Sequence, residues 1–535
     1  MRRSSQTSIF CGFGETFRPG GAYNAYVTAT LLPRCILAAI LLLASLPASA
    51  LPRSAPPRST ARSAAPATRP ALSAAEQKVL ALRQYTRQSV EFLRQKNYPE
   101  AEKVLVEALV LDPDNPTSSY NMACLKALTS HPDEALAYLE RAANAGFTDF
   151  LHIEQDPDLV SLRQQPRFKA LLAERDLYQK KAADRAVATL RRQLGDKYLF
   201  DVDYDTKLIF AADIDAQSLA AVKKWLTMQA KSQWQQLFSH KPDQYVAIVL
   251  PSPVDFRRII TKIINKRGVE GIYIHSLRML IAGRLGQVMT HEFTHALHAG
   301  DLDPLGQEHP LWIVEGLASM FEAATFEGEK LVPHDNYRLW NLRVAYRTRK
   351  LIPLEQLFTW KQAQFVQSAN LAYGEASSVM LYLYEHDLLR KFYDTYKINY
   401  DKDPTGKLTL EQVTGQSMKE FERTWQTWMY ARTPPSTDIS LLGPALGMYF
   451  VQENDGLKVN RIIGNGPAAT AGVKMGDVVV GLNDFDVRDP NSLTPLLKEF
   501  KPGDRVLFKL RRGEDYVTLP LTLGPEETKT PRSRK

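Results

Sequence analysis

His291-Glu292-Phe293-Thr294-His295, followed by Trp312-Ile313-Val314-Glu315-Gly316-Leu317-Ala318, is the stretch that decides how the rest of the chain is read. Two histidines four positions apart share one face of a helix, a turn from each other, and can grip one Zn²⁺. Glu292 stands beside the first of them and can reach a metal-bound water as general base. The helix is expected from about Gly286 to Ala299. Val288, Met289, Phe293, Ala296 and Leu297 make it apolar on most sides, so it should be buried. Unpaired polar groups in a core are costly, and a metal is the economical reason for two His and a Glu there. The second stretch, Pro310 to Phe321, is apolar almost throughout. Glu315, Ser319 and Glu322 fall at i, i+4 and i+7, on one helical face. Glu315 follows His295 by 20 residues. That leaves room for a loop from Gly300 to His309 and an antiparallel return toward the same metal.

Trp-Ile-Val-Glu-Gly-Leu-Ala closely resembles the third-ligand motif of the gluzincin metallopeptidases, the His₂Glu thermolysin-like clan, also called peptidase-MA-like. The resemblance implies an α+β zincin domain with His291, His295 and Glu315 as ligands of one Zn²⁺. It implies that Glu292 deprotonates the metal-activated water and later passes the proton to the leaving amine. The metal would polarise the scissile carbonyl and lower the water pKa towards about 7. The rival metzincin pattern needs Gly three residues after the second His and a third His three further on. His298 and Asp301 stand there instead, so that family is rejected. Asp301 is kept as an alternative ligand, and His298 is read as a surface residue or one that supports a ligand from behind. For the oxyanion, Ala372-Tyr373-Gly374-Glu375-Ala376-Ser377-Ser378 resembles the Tyr-bearing segment of peptidase-MA-like domains, which nominates Tyr373. A packing tyrosine is the competing reading, and His309 is a further candidate. The Gly-x-Met-x-Asn motif of aminopeptidase relatives is absent, so an endopeptidase is expected.

At 535 residues the chain is too long for one core. A 44% hydrophobic, 24% charged composition suits globular domains rather than a disordered chain. The net charge of +8 is modest and partly sits in Arg-rich ends, so no nucleic-acid partner is expected. Arg34, the apolar run Cys35 to Leu46 and Ala48-Ser49-Ala50 read as a signal peptide over residues 1–50, with an uncleaved anchor as the alternative. The 34 residues before the apolar run are long for a leader, which suggests an early assigned start or an atypical leader. Export to the periplasm or beyond follows, with no integral span after cleavage. Of three cysteines, Cys11 and Cys35 lie in that leader, and Cys124 reads as a small core residue. Cysteine therefore drops out as ligand or nucleophile.

Residues 51–72, rich in Pro, Ser, Ala and Arg, read as a disordered linker. Residues 73–182 are helical with a repeat at a spacing of 34: Glu100-Ala101 matches Glu134-Ala135, Leu105 matches Leu139, and Ala108 matches Ala142. Length and small-residue placement resemble tetratricopeptide repeats, capped by a helix with Leu159, Leu162, Phe168 and Leu171. Such a unit offers a partner groove or serves as a spacer. The catalytic domain is expected over 183–436. It opens with strands at Tyr198–Val202, Lys207–Phe210 and Tyr245–Leu250 and an edge strand at Gly271–Ile274. By analogy with zinc peptidases that edge strand would pair with substrate backbone. From Leu446 the pattern turns to strands and Gly turns. Gly466 to Val480 strongly resembles the PDZ family in its bacterial-protease form, over 437–525. The resemblance implies peptide binding at Leu446-Gly447-Met448-Tyr449-Phe450, where backbone groups hold a terminal carboxylate. Residues 526–535 read as a disordered tail. The favoured reading is an exported zinc endopeptidase acting on protein or peptide substrates, with repeats and PDZ recruiting them or partner proteins. The alternative is an inactive zincin-fold scaffold that binds through those two modules.

Overall fold

The computed structural model describes residues 73–264, 269–432 and 443–525, except for 454–455, 484, 491–492, 494–495, 498–499 and 514. The signal, linker and tail expected at 1–50, 51–72 and 526–535 lie outside the described residues. The N-terminal part is helical: α1 (Ala74–Arg94), α2 (Tyr98–Leu111), α3 (Pro116–Leu128), α4 (Pro132–Ala145), α5 (Phe150–Gln155), α6 (Pro166–Ala173) and α7 (Arg175–Leu194). Proline at the first or second helical position starts α2, α3 and α4, where its missing N–H costs nothing. The repeat positions Ala101, Leu105 and Ala108 on α2 are buried, as are Ala135, Leu139 and Ala142 on α4. Small residues there let the helices of each pair pack closely. Cys124 is buried in the same layer.

The middle of the chain is built on a five-stranded sheet of order β1-β2-β3-β5-β4. Its strands are β1 (Leu199–Asp203), β2 (Leu208–Ala212), β3 (Val246–Leu250), β4 (Gly271–Ile274) and β5 (Met279–Ala282). β2, β3 and β5 run parallel, while β1 and β4 flank them antiparallel. Helices cover both faces, so the strands are apolar on both sides. Phe210, Ile248 and Leu280 face the main core, whereas Ile209, Val249 and Ile281 face α7 and the helix α9 (Pro253–Ile264). The expected edge strand Gly271–Ile274 is the edge. Its partner β5 escaped the sequence reading, because four apolar residues give no period to count.

The main core is closed by α8 (Ala216–Gln236), α10 (Gln287–Leu302), α11 (Leu311–Phe321), α12 (Tyr337–Arg347), α15 (Ala369–Glu385), α16 (Leu389–Asn399), α17 (Lys407–Thr414) and α18 (Met418–Ala431). A hairpin β6–β7 (Thr325–Glu327, Lys330–Val332) and short helices α13 (Leu354–Leu357) and α14 (Gln362–Gln367) connect them. The C-terminal sheet has the path β13-β12-β10-β9-β8, with β11 on β10. It comprises β8 (Met448–Glu453), β9 (Gly456–Ile462), β10 (Val478–Leu482), β11 (Phe485–Asp486), β12 (Arg505–Arg512) and β13 (Asp515–Thr522), with short helices α19 (Gly443–Leu446) and α20 (Pro467–Thr470). It folds over its own apolar cluster, including Met448, Leu457, Val479, Val506 and Phe508. Among the described residues no helix is long and apolar enough to cross a membrane.

Candidate metal centre

Helix α10 is buried over its whole length. Phe293, Ala296 and Leu297 tie it into the main core. Its rotation is fixed by α8, through the residues that precede the two histidines. Trp225 Nε1 donates to Thr290 Oγ1 at 3.2 Å, Gln229 Nε2 to the Thr290 carbonyl at 3.0 Å, and Gln233 Nε2 to Thr294 Oγ1 at 3.0 Å. Trp225, Gln229 and Gln233 recur every four residues, one stripe on α8. Each threonine they hold precedes one of the paired histidines. Strand β4 closes the opposite side. A Cβ at Gly271 would lie 2.5 Å from Val288 Cγ1 and 2.9 Å from Glu292 Cγ, so only glycine lets this strand approach. The backbone N–H of Tyr273 on β4 donates to the Glu292 carboxylate.

Helix α11 returns antiparallel, as the 20-residue spacing from His295 to Glu315 suggested. Trp312 anchors it, stacked on Phe358 at 3.9 Å and donating Nε1–H to the Thr405 carbonyl at 2.8 Å. The structure brings three donor atoms together. His291 Nε2 lies 3.0 Å from His295 Nε2, and Glu315 Oε2 lies 3.3 Å from the first and 3.4 Å from the second. Four ligands placed tetrahedrally at Zn–N and Zn–O lengths of about 2.0–2.1 Å stand roughly 3.3 Å apart, so the triangle fits that ion. Neither Glu315 oxygen receives a hydrogen bond of proper geometry, and Glu292 Oε1 receives none. The two imidazole nitrogens and the Glu315 oxygen thus converge on one point, as the ligands of a cation do.

The charges agree. Burial works against a charged His291, yet Glu315 and Glu322 push its pKa up to about 10. Burial pushes Glu292 above the usual carboxylate range, offset in part by the two histidines, which suits a proton acceptor. His291 Nδ1 lies 2.8 Å from Glu322 Oε1, which turns Nε2 toward the triangle. Arg338 on α12 grips Glu322 through Nε and Nη2 at 2.9 Å each. Burial would raise the Glu322 pKa, but Arg338 and His291 bring it to about 2. Glu322 was visible on the polar face of α11; its role was not, because Arg338 arrives from another helix.

Tyr373 on α15 is buried against the site. Its ring centre lies 6.3 Å from that of His291, with the Arg338 guanidinium carbon 5.3 Å from it and Phe365 at 5.1 Å. α15 reaches α11 because residue 316 is glycine: a Cβ there would lie 2.9 Å from the Ala376 carbonyl oxygen. His298, expected at the surface or behind a ligand, is neither exposed nor in the triangle. It is buried, with Nε2 at 3.1 Å from His309 Nδ1. Asp301 is no ligand of this triangle either. It accepts from the Ser239 and His240 backbone N–H groups at 2.6 Å each, from Tyr393 OH at 2.8 Å and from Lys397 Nζ at 3.1 Å. A second grouping, Cys124 with Asp156 and Asp158, is spent locally. Asp156 accepts from Tyr120 OH and from the Asp158 N–H, and burial pushes the Cys124 thiol well up.

In the C-terminal sheet, Leu446 ends α19, Gly447 turns the chain, and Met448–Phe450 begin the edge strand β8. Leu446, Met448 and Phe450 point into the core, and the Gly447 carbonyl accepts the Ile463 N–H at 2.8 Å. Residues 444–523 match the PDZ domain family. They form a PDZ domain. Residues 287–405, which include His291, Glu292, His295, Glu315, Glu322, Arg338 and Tyr373, match the family described as a protein of unknown function, DUF1570. The chain is 32% identical over 93 residues to a chloroplastic protein of Arabidopsis thaliana, which covers 17% of this chain and 28% of that protein. It is 31% identical over 86 residues to the Serine protease Do-like HtrA of Bacillus subtilis (strain 168), covering 16% and 19%. The chain thus spans less than a third of the length of either relative. Among solved structures, an HtrA-type protease with a decapeptide aligns at 20% identity and TM-score 0.16, covering 16% of this chain and 30% of its own. An aminopeptidase N family protein from Idiomarina loihiensis aligns at 15% identity and TM-score 0.24, covering 62% and 68%. Both superpositions are too loose to bear on the fold.

Proposed function

We propose that this chain is an exported zinc-dependent metallopeptidase of the gluzincin type, an endopeptidase with a thermolysin-like catalytic domain over 183–436. The observation that carries the reading is the convergence of His291 Nε2, His295 Nε2 and Glu315 Oε2 within 3.4 Å of one another, with Glu292 beside them. When bound there, Zn²⁺ supplies Lewis acidity to the carbonyl and acidifies a water. Glu292 takes the proton from the attacking water and returns it to the leaving nitrogen. The Tyr273 N–H fixes the rotamer of Glu292 for that transfer. Glu322 holds the His291 ring with Nε2 forward, and Arg338 keeps Glu322 ionised. The Tyr373 hydroxyl, which burial keeps protonated, donates toward oxygen charge that develops on the substrate. The helices of 73–182, with their tetratricopeptide-like repeat, present partners or substrates. The PDZ domain captures peptide C-termini along Leu446–Phe450.

An inactive scaffold binding proteins through the repeats and PDZ is the second reading. One observation favours it: His291, Glu292, His295 and Glu315 are each at most 2% exposed. Zinc content and casein cleavage, measured on wild type and Glu292→Gln, separate the two. The peptidase reading expects about one zinc in both proteins and a loss of roughly 10²–10⁴ in rate for the variant. Zinc retained with no cleavage of any peptide pool by wild type leaves the scaffold.

A further inference from the structure

Strand β4 brings Glu292 a backbone partner, the Tyr273 N–H, and the residues just before β4 and α10 are both gripped from the PDZ domain. The contact is made by the β10–β11 ribbon. Leu285, just before α10, pairs in parallel with Phe485, and the Asp486 N–H donates to the Leu285 carbonyl at 3.0 Å. Phe485 packs against the main core rather than the PDZ core. Arg284 Nη1 bonds Asp486 Oδ1 at 3.0 Å, and its Nη2 lies 3.3 Å from Glu270 Oε1. Arg488 of the PDZ domain bonds the same Glu270 carboxylate. Arg488 is braced in turn, since Gln452 of β8 donates to its carbonyl at 2.8 Å. Arg488 is 8% exposed and Asp486 2%. Losing Arg488 would leave the buried Asp486 and the part-exposed Glu270 carboxylates to share Arg284. Glu270 is the residue before Gly271, and its carbonyl accepts the Gly283 N–H at 2.9 Å, closing the base of the β4–β5 hairpin. From Gly271 the backbone runs directly against Glu292, with no space for a Cβ.

We propose that the PDZ domain is a structural part of the peptidase site: Arg488 and Asp486 are positioning residues that, through Glu270 and Arg284, hold β4 and the start of α10 so that the Tyr273 N–H and Glu292 stay in register. The proposal rests on the peptidase reading for its effect on rate, but its structural half stands apart from it. A peptidase whose base is held by two domains loses rate when the second lets go, even with zinc in place. Misplacing a catalytic group by about an ångström costs up to roughly a hundredfold.

The test uses the full chain with Arg488→Ala, Arg488→Lys, and Met475→Ala as a control at a PDZ position 70% exposed. Three readouts are needed: kcat and KM on a casein-derived peptide, zinc per chain, and hydrogen exchange resolved by strand. Arg488→Ala is expected to lower kcat about tenfold to a hundredfold with KM within about twofold. Zinc should stay at one per chain. Exchange should rise at 271–274 but not in β2 or β3. Arg488→Lys, which keeps the charge beside Glu270 and Asp486, should lose less than Arg488→Ala on both readouts, and Met475→Ala should match wild type. Unchanged exchange at 271–274 in Arg488→Ala overturns the proposal. Uniformly raised exchange in all strands also overturns it, since that marks general destabilisation. If wild type cleaves nothing, the peptidase reading fails, while the exchange at 271–274 still decides whether the PDZ domain holds the strand.

Discussion

Helix α10 carries buried polar residues at both ends, and the two ends solve the cost of burial differently. At its C-terminal end, acceptors meet donors. Asp301 takes bonds from Ser239, His240, Tyr393 and Lys397, and these hold its carboxyl below the usual range against the pull of burial. Burial drives His298 and His309 neutral, with pKa values of about 3 and about 2, and they bond each other. At the other end atoms of the metal-ligating kind converge: His291 Nε2, His295 Nε2 and Glu315 Oε2 meet within 3.4 Å, with Glu292 beside them. A polar cluster whose groups pair off one by one is a piece of core. One whose imidazole nitrogens and carboxylate oxygen converge at the spacing of zinc ligands is a place for a cation. Histidines and aspartates in a core therefore do not by themselves mark a site, but the direction of their lone pairs does.

The sharpest way to break this contrast is a pair of substitutions on one protein. Glu315→Ala should weaken zinc binding by roughly 10²–10³-fold, about one ligand's share of a typical site. Asp301→Ala should leave zinc affinity unchanged but cost about 3–5 kcal/mol of stability, because Lys397 and the other donors lose their partner. Chelator competition reads the first and urea unfolding the second. Zinc loss in Asp301→Ala would erase the distinction between the two ends.

A smaller effect sharpens it. Glu322→Gln keeps the shape of α11 but weakens the grip on His291 Nδ1, so zinc affinity should fall about 10–100-fold with the fold intact. Equal affinities in the two proteins would mean that the ring is held by packing alone.

The mildest prediction concerns pH. With no ion bound, His291 has a pKa of about 10 and is protonated at neutral pH, whereas a ligating imidazole must be neutral. Zinc therefore displaces a proton. Affinity should rise about tenfold per pH unit between pH 7 and 9 and level off near the His291 pKa. Calorimetry in buffers of different ionisation enthalpy should show about one proton released per zinc at pH 8. A flat profile would mean that the proton sits elsewhere.

Much of the site could be read from the chain because it is local. His291, Glu292 and His295 lie within one helical turn, and the period of a helix puts the two rings together before any tertiary contact forms. Glu315 could be nominated because α11 is apolar except on one face. The antiparallel return follows from the short loop between the helices. The PDZ fold was legible for a similar reason, since its Gly turns and strand pattern are contiguous. Residues that act through distant partners were not legible. Gln229 and Gln233 reach Thr290 and Thr294 from 61 residues away, and nothing in either segment announces the other. Arg338 makes Glu322 a ligand orienter from a separate helix. His298 looked like an exposed or supporting residue because its neighbours Phe238 and Tyr393 come from elsewhere in the chain.

By itself, then, the sequence determined which atoms can bind a metal: residue type and helical spacing decide that, and both are properties of the chain at short range. Tertiary structure decided which of the candidates do converge and which are already paired, excluding Asp301 and recruiting Glu322. It also decided that the PDZ ribbon at Phe485–Arg488 packs against the hairpin and helix bearing the site. The physical reason is the same in each case. A lone pair is available or spent according to what packs beside it, and packing joins residues tens to hundreds of positions apart.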